Sequence, residues 1–304
     1  MQNLKIGTRG SKLALAQAHT VKSQLEKSFP EITCEIEVIR TIGDIDQKSI
    51  LEKLPNYGKG VFTREIDDAL LNNQIDIAVH SLKDVPTDYM SELMVGAVLK
   101  RDSPWDAMIS SFRSIQELPI NARIGTSSIR RKSELLRLNP KFRIIPIRGN
   151  IETRIKKLES LDAVVTAEAA IRRIRIPILN KYSITIFSKE EMLPCPGQGA
   201  IAVSTKVENA YCLKLLRELD DLETRYSVTA ERTFLKEFGG GCVIPLGAIA
   251  IVQNKRVKLF AAVNSPDGIS SLRMAISDHL TNSEQLGRNL AKKMKEKGAN
   301  QLIS

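Results

Sequence analysis

The chain has 304 residues, of which 42% are apolar, so it is long enough for two or three domains with well-buried cores. Its 45 basic and 35 acidic residues give a net charge of +10, which favours an acidic partner, yet only 5% of residues are aromatic, which argues against nucleic acid. No apolar run reaches the length of a signal-peptide core or a membrane span, so we expect a soluble, cytoplasmic protein without a membrane partner.

The first third of the chain alternates strand-like and helix-like segments. The predicted elements are a strand at 4–9, an amphipathic helix at 11–28, a strand at 34–42, the polar loop NYGKG, a helix from about Thr63 to Asn72 and a strand at 75–81. This alternation predicts an α/β domain with a largely parallel sheet.

The same pattern restarts after the segment LKRDSPWDAMIS. The predicted elements there are a strand at 123–128, a helix at 129–138, a strand at 142–148, a helix through Arg154 and Lys157, and a strand followed by a helix at 162–174. Two successive α/β units of similar size predict a cleft that binds a ligand.

The last part of the chain has a different composition of elements. They are a helix at 221–238, a glycine-rich loop, strands at 244–252 and 256–265, and a helix from about Ser283 to Lys297. We expect a smaller α+β unit here, so the predicted fold class is α/β, with two α/β domains and a small α+β domain at the C-terminal end.

Several basic residues fall where a predicted strand gives way to a helix. They are Arg9, next to Ser11 in GTRGS, Arg130 and Arg131 in GTSSIRR, Arg148 in IRGN, and Arg154. Free N–H groups at a helix N-terminus attract anions, and a guanidinium holds a carboxylate through two parallel hydrogen bonds. Any one of these residues, taken alone, also fits a solvated surface charge. Their recurrence at equivalent junctions favours a site lined for carboxylates or phosphates.

The fragment VHSLKDVP places His80, Lys83 and Asp84 at the end of an apolar strand. In open α/β sheets, ligands bind at this end of the strands. The alternative interpretations are an ion pair between Lys83 and Asp84 and a packed, hydrogen-bonded side chain for His80. Asp84 has the strongest functional claim, because one carboxylate among many cations can stabilise a positively charged intermediate.

Cys242 lies in the glycine-rich segment FGGGCVIPLG. A thiol that only packs is expected within an apolar strand or helix, whereas a glycine loop gives access to a bulky partner and favours a nucleophilic or covalently attached role. No histidine is close in sequence, and no cysteine spacing fits zinc, so we expect neither a protease-like pair, nor a metal site, nor disulfides. Cys34, Cys195 and Cys212 are expected to be structural.

Eight motifs, taken together, resemble those of the porphobilinogen deaminase family. They occur in the family's order and at its approximate spacing over nearly the whole chain: GTRGSKLALAQA, GKGVFTREID, DIAVHSLKDVPT, IGTSSIRRK, IRGNIETR, LPCPGQGAIAV, VTAERTFLKEFGGGC and IPLG.

The resemblance implies a transferase that condenses four porphobilinogen molecules head to tail with loss of ammonia, and then releases linear hydroxymethylbilane by hydrolysis. It implies two domains similar to periplasmic binding proteins, at 1–98 with 197–215 and at 103–192, and a third domain at 219–304 that presents the cofactor. It also implies a cytoplasmic monomer whose partners are porphobilinogen and the growing polypyrrole chain.

The family's motifs also imply roles for individual residues. Cys242 would carry a dipyrromethane cofactor through a thioether, and Asp84 would accept hydrogen bonds from pyrrole N–H groups and stabilise the cationic azafulvene left when ammonia departs. The cofactor carboxylates would be held by Lys83, Thr126, Ser128, Arg130 and Arg131. The substrate would be bound by Arg9, Ser11, Arg148, Arg154 and Arg173, with Lys59 in a loop that closes over the site.

Some positions depart from the family's usual pattern. Glu168 and Ala170 stand where smaller or neutral residues are expected, which weakens the assignment of Arg173. Trp105 stands where an arginine is frequent, and Gly10 replaces a bulkier polar residue.

Two other functions fit part of the sequence. A non-enzymatic, two-lobed anion-binding protein would explain the paired α/β units, although it leaves Cys242 and the third unit without a role. A basic nucleic-acid binder would show an affinity that falls steeply with salt.

Overall fold

The computed structural model describes residues 2–41, 63–174, 176–240 and 244–303. The chain forms two compact units: unit 1 comprises Met1–Asp102 and Gly199–Arg225, and unit 2 comprises Ser103–Gln198 and Tyr226–Ser304. Unit 1 has nearly the bounds predicted for the first domain, whereas the residues predicted for the second and third domains fall together in unit 2. The finer three-domain boundaries stay a prediction.

The strands and helices below are numbered in chain order over the described residues. The strands are β1 (Gln2–Thr8), β2 (Ile32–Val38), β3 (Ile77–Ser81), β4 (Leu93–Val98), β5 (Asp106–Ser110), β6 (Arg123–Gly125), β7 (Arg143–Ile145), β8 (Ala163–Ala167), β9 (Ser183–Ile186), β10 (Ile201–Lys206), β11 (Leu246–Gln253), β12 (Arg256–Asn264) and β13 (Ser271–His279). The α-helices are α1 (Lys12–Ser28), α2 (Arg64–Leu71), α3 (Ile129–Leu138), α4 (Ile151–Lys156), α5 (Glu168–Arg173), α6 (Ala210–Arg217), α7 (Leu222–Glu237), α8 (Ser283–Glu296) and α9 (Ala299–Ile303).

Unit 1 is built on a five-stranded sheet with the strand order β2-β1-β3-β10-β4. β1 runs parallel to β2 and β3, whereas β10 runs antiparallel to β3 and β4. Its core is formed by fully buried aliphatic side chains such as Ile6, Leu25, Ile77, Val203 and Leu216. Burial of this apolar surface is the main force that holds α1 and α6 against the sheet.

Unit 2 contains a second five-stranded sheet with the order β7-β6-β8-β5-β9. β6 is parallel to β7 and β8, and β5 is antiparallel to β8 and β9. In each five-stranded sheet, four strands therefore run in the same direction, and the fourth strand in the order, β10 or β5, runs opposite to them. The prediction of largely parallel sheets therefore holds for four of the five strands. The exceptions, β5 and β10, each follow a crossing from the other unit, so no crossover helix constrains their direction.

The C-terminal part of unit 2 is an antiparallel three-stranded sheet with the order β11-β12-β13. Its buried core includes Phe234 of α7, Leu259 of β12 and Leu290 of α8. The predicted fold class, two α/β parts and a smaller α+β part, is confirmed. No helix in the described ranges has the length and apolar character needed to cross a bilayer.

Candidate active site

The first predicted junction lies between β1 and α1. Ser11 is the N-cap of α1, and its hydroxyl oxygen accepts a hydrogen bond from the Ala14 backbone N–H at 3.2 Å. Arg9 lies between the strand and this cap and is half-buried. The structure therefore places an arginine residue next to a helix N-terminus, where backbone N–H groups carry partial positive charge. Gly10 is exposed, and a Cβ there would lie 3.2 Å from a methyl group of Val38.

The second junction lies at the end of β3, where a single 3-10 turn spans Leu82–Asp84. Leu82 is buried and its N–H donates to the Ala200 carbonyl at 3.0 Å, so it anchors the turn, while Lys83 and Asp84 are half-buried. β1 and β3 are neighbouring parallel strands. Their carboxyl ends, with Arg9 on one and Asp84 on the other, therefore lie along the same edge of the sheet.

Gln17 is a residue of this edge that sequence reasoning did not single out. It is buried in α1, and its amide nitrogen donates to the Ser81 hydroxyl at 2.8 Å, which ties the helix to the end of β3. A buried glutamine on the inner face of an amphipathic helix is the signal that could have identified it.

Two buried titratable side chains precede the Lys83–Asp84 turn. His80 of β3 and Asp67 of α2 are 5% and 2% exposed, with Nε2 of His80 at 3.9 Å from Oδ1 of Asp67, a distance too long for a hydrogen bond. Asp67 accepts a hydrogen bond from the Tyr89 hydroxyl at 2.6 Å, whereas no described residue bonds Nε2 of His80. His80 is thus packed inside unit 1, but it is only partly satisfied.

Burial shifts the two pKa values of this pair toward the neutral forms. Burial, together with the smaller effect of the charge of Arg9, lowers the pKa of His80 to about 4. It also raises the pKa of Asp67 to about 6, against the hydrogen bonds from Tyr89 and Thr63, while Asp68 and Glu65 add to the increase.

The pair predicts a pH-dependent stability that a single substitution reveals. Because the pKa of Asp67 is higher in the folded state, its ionisation removes stability as the pH rises from about 4 to about 6. The pKa of His80 is lower in the folded state, so loss of its proton adds stability as the pH rises from about 4 to its ordinary pKa of 6.5. The contributions of Asp67 and His80 therefore oppose each other in the wild type. In Asp67→Asn only the His80 effect remains.

We therefore expect the free energy of unfolding of Asp67→Asn to increase relative to wild type over this range, by up to about 3 kcal/mol. Urea unfolding followed by circular dichroism at several pH values measures this difference. The exposed neighbour Asp68 provides the control substitution, Asp68→Asn, and parallel pH profiles for wild type and Asp67→Asn would contradict the prediction.

In unit 2, the junction between β6 and α3 carries the GTSSIRR motif. Ser128 is the N-cap of α3 and accepts from the Arg131 backbone N–H at 3.4 Å, while the Thr126 hydroxyl accepts from the Ser128 N–H at 3.2 Å. Thr126 is buried, and Arg130 and Arg131 occupy the first turn of the helix. The four predicted residues are therefore brought together at one helix N-terminus.

Arg130 and Arg131 are buried against Asp106, the first residue of β5. Nη1 of Arg130 lies 2.7 Å from Oδ2 of Asp106, and Nε of Arg131 donates to Oδ1 at 2.8 Å. Burial acts to raise the pKa of Asp106, but the charges of Arg130 and Arg131 outweigh it and lower the pKa to about 2. Asp106 is consequently ionised at all physiological pH values. Sequence reasoning missed it, although a charge that opens the buried strand DAMIS was a signal.

The IRGN junction contains Arg148 and leads into α4, which carries Arg154. Gly149 has a φ of +105°, which is favourable only for glycine, and its carbonyl accepts a hydrogen bond from Nε of Arg154 at 2.8 Å. Asn150 caps α4 by accepting from the Thr153 N–H at 2.9 Å. Arg148 is exposed and Arg154 is half-buried, so both lie within reach of a ligand in solution.

The departures at Glu168 and Trp105 have structural explanations. Glu168 is buried at the start of α5, where it accepts hydrogen bonds from the Ser103 hydroxyl and, at 2.7 Å, from Nε of Arg172. Trp105 packs beside a buried cluster that includes Leu193 and Ile249. Arg173, the last residue of α5, is half-buried.

Three of the four cysteines lie within the described residues. Cys34 and Cys212 are buried, and burial raises the pKa of each thiol to about 11, as expected for structural cysteines. Cys195 is half-buried. Lys59 and Cys242, the two other predicted functional residues, lie outside the described residues. Within the described residues, no group of three or more His, Cys, Asp or Glu side chains could hold a metal ion.

The fold and its charges define the class of protein. Both five-stranded sheets present arginines and small hydroxyl residues where a strand ends and a helix begins, an arrangement that binds carboxylates and phosphates. The chain is thus an α/β protein suited to acidic small-molecule ligands.

Comparison with known proteins narrows this class to one family. Residues 4–214 match the family model described as porphobilinogen deaminase, dipyrromethane cofactor-binding domain, and residues 225–296 match the C-terminal domain of the same family. A porphobilinogen deaminase of Natranaerobius thermophilus is 43% identical over 99% of this chain and 98% of its own length, and one of Desulforudis audaxviator is 39% identical over 98% and 96%. A solved structure of the methionine-binding protein MetQ is also similar, with 13% identity, a TM-score of 0.45, and coverage of 71% of this chain and 89% of that one.

The chain belongs to the porphobilinogen deaminase family. It is accordingly a transferase of tetrapyrrole biosynthesis with a dipyrromethane cofactor, and it makes hydroxymethylbilane.

Proposed function

We propose that the strand-end residues described above divide the work of hydroxymethylbilane synthesis between cofactor binding, substrate binding and charge stabilisation. The observation that carries this proposal is the shared edge of β1 and β3, where Arg9, Ser11, Lys83 and Asp84 follow neighbouring parallel strands. Cations and a single carboxylate at one sheet edge suit a ligand that is acidic at its rim and becomes positive at its reacting centre.

The residues of unit 2 fit the carboxylates of a dipyrromethane. Arg130 and Arg131 contribute two guanidinium charges against one from Asp106, so one positive charge is left in a buried place. Thr126 and Ser128 add hydroxyls at the same helix N-terminus. We propose that these residues and Lys83 bind the cofactor carboxylates and that Cys242 forms the thioether. The cofactor supplies the pyrrole carbon to which the first substrate ring is joined.

Arginines elsewhere at the strand ends suit the acetate and propionate groups of porphobilinogen. We propose Arg9, Ser11, Arg148 and Arg154 as the principal substrate-binding residues, with Lys59 and Arg173 in supporting positions. Each ion pair formed at about 4 Å is worth up to about 4 kcal/mol at an effective dielectric constant near 20, and this attraction offsets the mutual repulsion of the carboxylates.

Asp84 is proposed as the catalytic carboxylate. It is half-buried at the end of a turn that buried Leu82 anchors, so its carboxylate has a defined position at the sheet edge and remains accessible. There it would accept hydrogen bonds from pyrrole N–H groups, stabilise the positive charge that develops when ammonia leaves, and move a proton.

We further propose that the protein acts as a monomer in the cytoplasm, with porphobilinogen and the growing polypyrrole chain as its partners and with neither nucleic acid nor membrane. The family membership supports this assignment. Size-exclusion chromatography with light scattering measures the oligomeric state directly.

Intact-protein mass spectrometry tests the proposal through Cys242. We expect the purified wild-type chain to be heavier than its sequence by one dipyrromethane, and Cys242→Ser to have the unmodified mass and no porphobilinogen turnover, because only a thiolate forms the thioether. Cys195→Ser is the matched control and should keep both the added mass and the turnover. A wild-type chain with unmodified mass and no turnover would instead fit a binding protein.

A further inference from the structure

Asp106, Arg130, Arg131 and Gln198 form a buried cluster in unit 2, and Asp106 contacts the other three residues. No role has been assigned to Asp106 so far. Its side chain is fully buried, and its Oδ1 lies 2.8 Å from both Nε and Nη2 of Arg131. Oδ1 also accepts a hydrogen bond from the Gln198 side-chain amide at 3.1 Å, while Oδ2 lies 2.7 Å from Nη1 of Arg130. One carboxylate thus fixes the direction of two guanidiniums.

Arg130 and Arg131 differ in how many of their side-chain nitrogens contact other residues. Arg131 also donates from Nη1 to the Val165 carbonyl at 3.3 Å and from Nη2 to Gln198 at 3.4 Å, so all three of its nitrogens are engaged. The described contacts of Arg130 both start from Nη1, which forms an ion pair with Oδ2 of Asp106 and donates a hydrogen bond to the Leu193 carbonyl at 2.7 Å. The edge formed by Nε and Nη2 of Arg130 is therefore the one available to hold a carboxylate with two parallel bonds.

Gln198 also holds the Asp106 carboxylate in place. Its amide nitrogen donates to the Pro104 carbonyl at 2.8 Å as well as to Asp106, so the glutamine itself is held in one orientation. Arg131 and Gln198 are consequently each bonded both to the backbone and to Asp106. Such connection keeps a buried guanidinium in one rotamer, which reduces the entropy lost on binding a ligand.

The cluster has a net charge of +1. Two guanidiniums and one ionised carboxylate leave one positive charge. Glu134, the other carboxylate that interacts with Arg130, is itself paired with Arg137 at 2.8 Å and Arg273 at 3.1 Å, so it does not neutralise this excess. A buried excess charge is unfavourable until a counter-charge arrives, and one carboxylate supplies it.

We infer that Asp106, supported by Gln198, is a positioning residue that orients Arg130 and Arg131 and sets the cluster charge to match a single carboxylate of the cofactor. This inference rests on the proposed role of the two arginines in cofactor binding. Asp106 would affect cofactor binding only by orienting the two arginines, and it would not contact the cofactor itself.

Asp106→Asn tests the inference because it keeps the shape of the side chain and removes its charge. We expect the fraction of purified protein that carries the dipyrromethane mass to fall about tenfold or more, since no negative charge then offsets the repulsion between the two guanidiniums and the amide NH2 group replaces one of the two acceptor oxygens. Glu134→Gln is the matched control: it also removes a buried carboxylate that two arginines contact, and it should keep most of the cofactor mass.

A second measurement separates charge matching from simple loss of structure. The full-length chain with Cys242→Ser serves as a common background without cofactor, and its melting temperature is compared in sodium sulfate and sodium chloride at equal ionic strength. With Asp106→Asn added, the cluster has a charge of two, so sulfate should raise the melting temperature over chloride by about 3 °C more than in the background. Glu134→Gln added to the same background should show no extra sulfate effect.

The outcomes are distinct. Normal cofactor mass in Asp106→Asn, or an equal sulfate effect in all variants, would overturn the inference. A wild-type chain without cofactor mass would refute the proposed function instead. If Asp106→Asn does not accumulate, Asp106→Glu replaces it, because glutamate keeps the negative charge but shifts its position. The inference then requires a smaller fraction of protein with the cofactor mass and no extra stabilisation by sulfate. An unreduced fraction with the cofactor mass overturns the inference.

Discussion

Asp84→Asn should lower kcat by about a hundredfold to ten-thousandfold, the range that a positioned acid-base or charge-stabilising group contributes. The amide keeps the size of the side chain and its place at the end of the Leu82–Asp84 turn, but it carries no negative charge to oppose the cation that forms when ammonia leaves. Steady-state assays with porphobilinogen measure the effect. We expect a much smaller change in KM, because the proposed substrate carboxylates bind to arginines.

Two observations accompany this measurement. Asp88→Asn, an exposed carboxylate later in the same segment, should retain the wild-type rate, and Asp84→Asn should melt close to the wild-type temperature because Asp84 is only half-buried. A near-wild-type kcat for Asp84→Asn would show that the catalytic carboxylate lies elsewhere.

Of the substitutions for which we predict a change in stability, Glu231→Met should cause one of the largest losses. Glu231 is fully buried in α7 and accepts two backbone hydrogen bonds, from Gly197 at 2.8 Å and from Ala250 at 2.9 Å. It therefore joins the PGQG segment, α7 and β11 within unit 2. Methionine fills a similar volume but leaves two buried N–H groups without an acceptor, at about 1–3 kcal/mol each.

We expect Glu231→Met to lose about 3 kcal/mol or more of unfolding free energy, measured by urea unfolding of the purified chain. Glu237→Met, at the exposed end of the same helix, is the control and should change the unfolding free energy by less than about 1 kcal/mol, because its ion pair with Lys295 is partly solvated. Equal losses in the two variants would mean that helix propensity, rather than the buried hydrogen bonds, determines the effect.

The sequence predicts well what local chemistry determines. Ser11 and Ser128 were placed at helix starts, where the structure finds them as N-caps, because a cap and the first turn it satisfies are only a few residues apart. The same holds for Asp84, which ends the short turn that follows an apolar strand.

Contacts between distant segments were not predicted. Arg130 and Arg131 were recognised as anion-binding residues, yet their partner Asp106 lies 25 residues before Arg131 and belongs to a segment interpreted as a crossing. Strand β13 was also missed, although Leu272, Met274 and Ile276 alternate along it and pack against the core of the three-stranded sheet. It forms one edge of this sheet and has no fully buried residue, so its apolar pattern is weaker than that of β11 and β12.

The strand order of unit 1 has a consequence for synthesis of the chain. β10 lies between β3 and β4, yet it is encoded after the whole five-stranded sheet of unit 2. A ribosome therefore releases every strand of that second sheet before the first sheet can close, and until Ile201–Lys206 emerges, facing edges of β3 and β4 have no partner between them. The nascent chain should acquire protease resistance in the middle of its sequence before it does so at its N-terminal end.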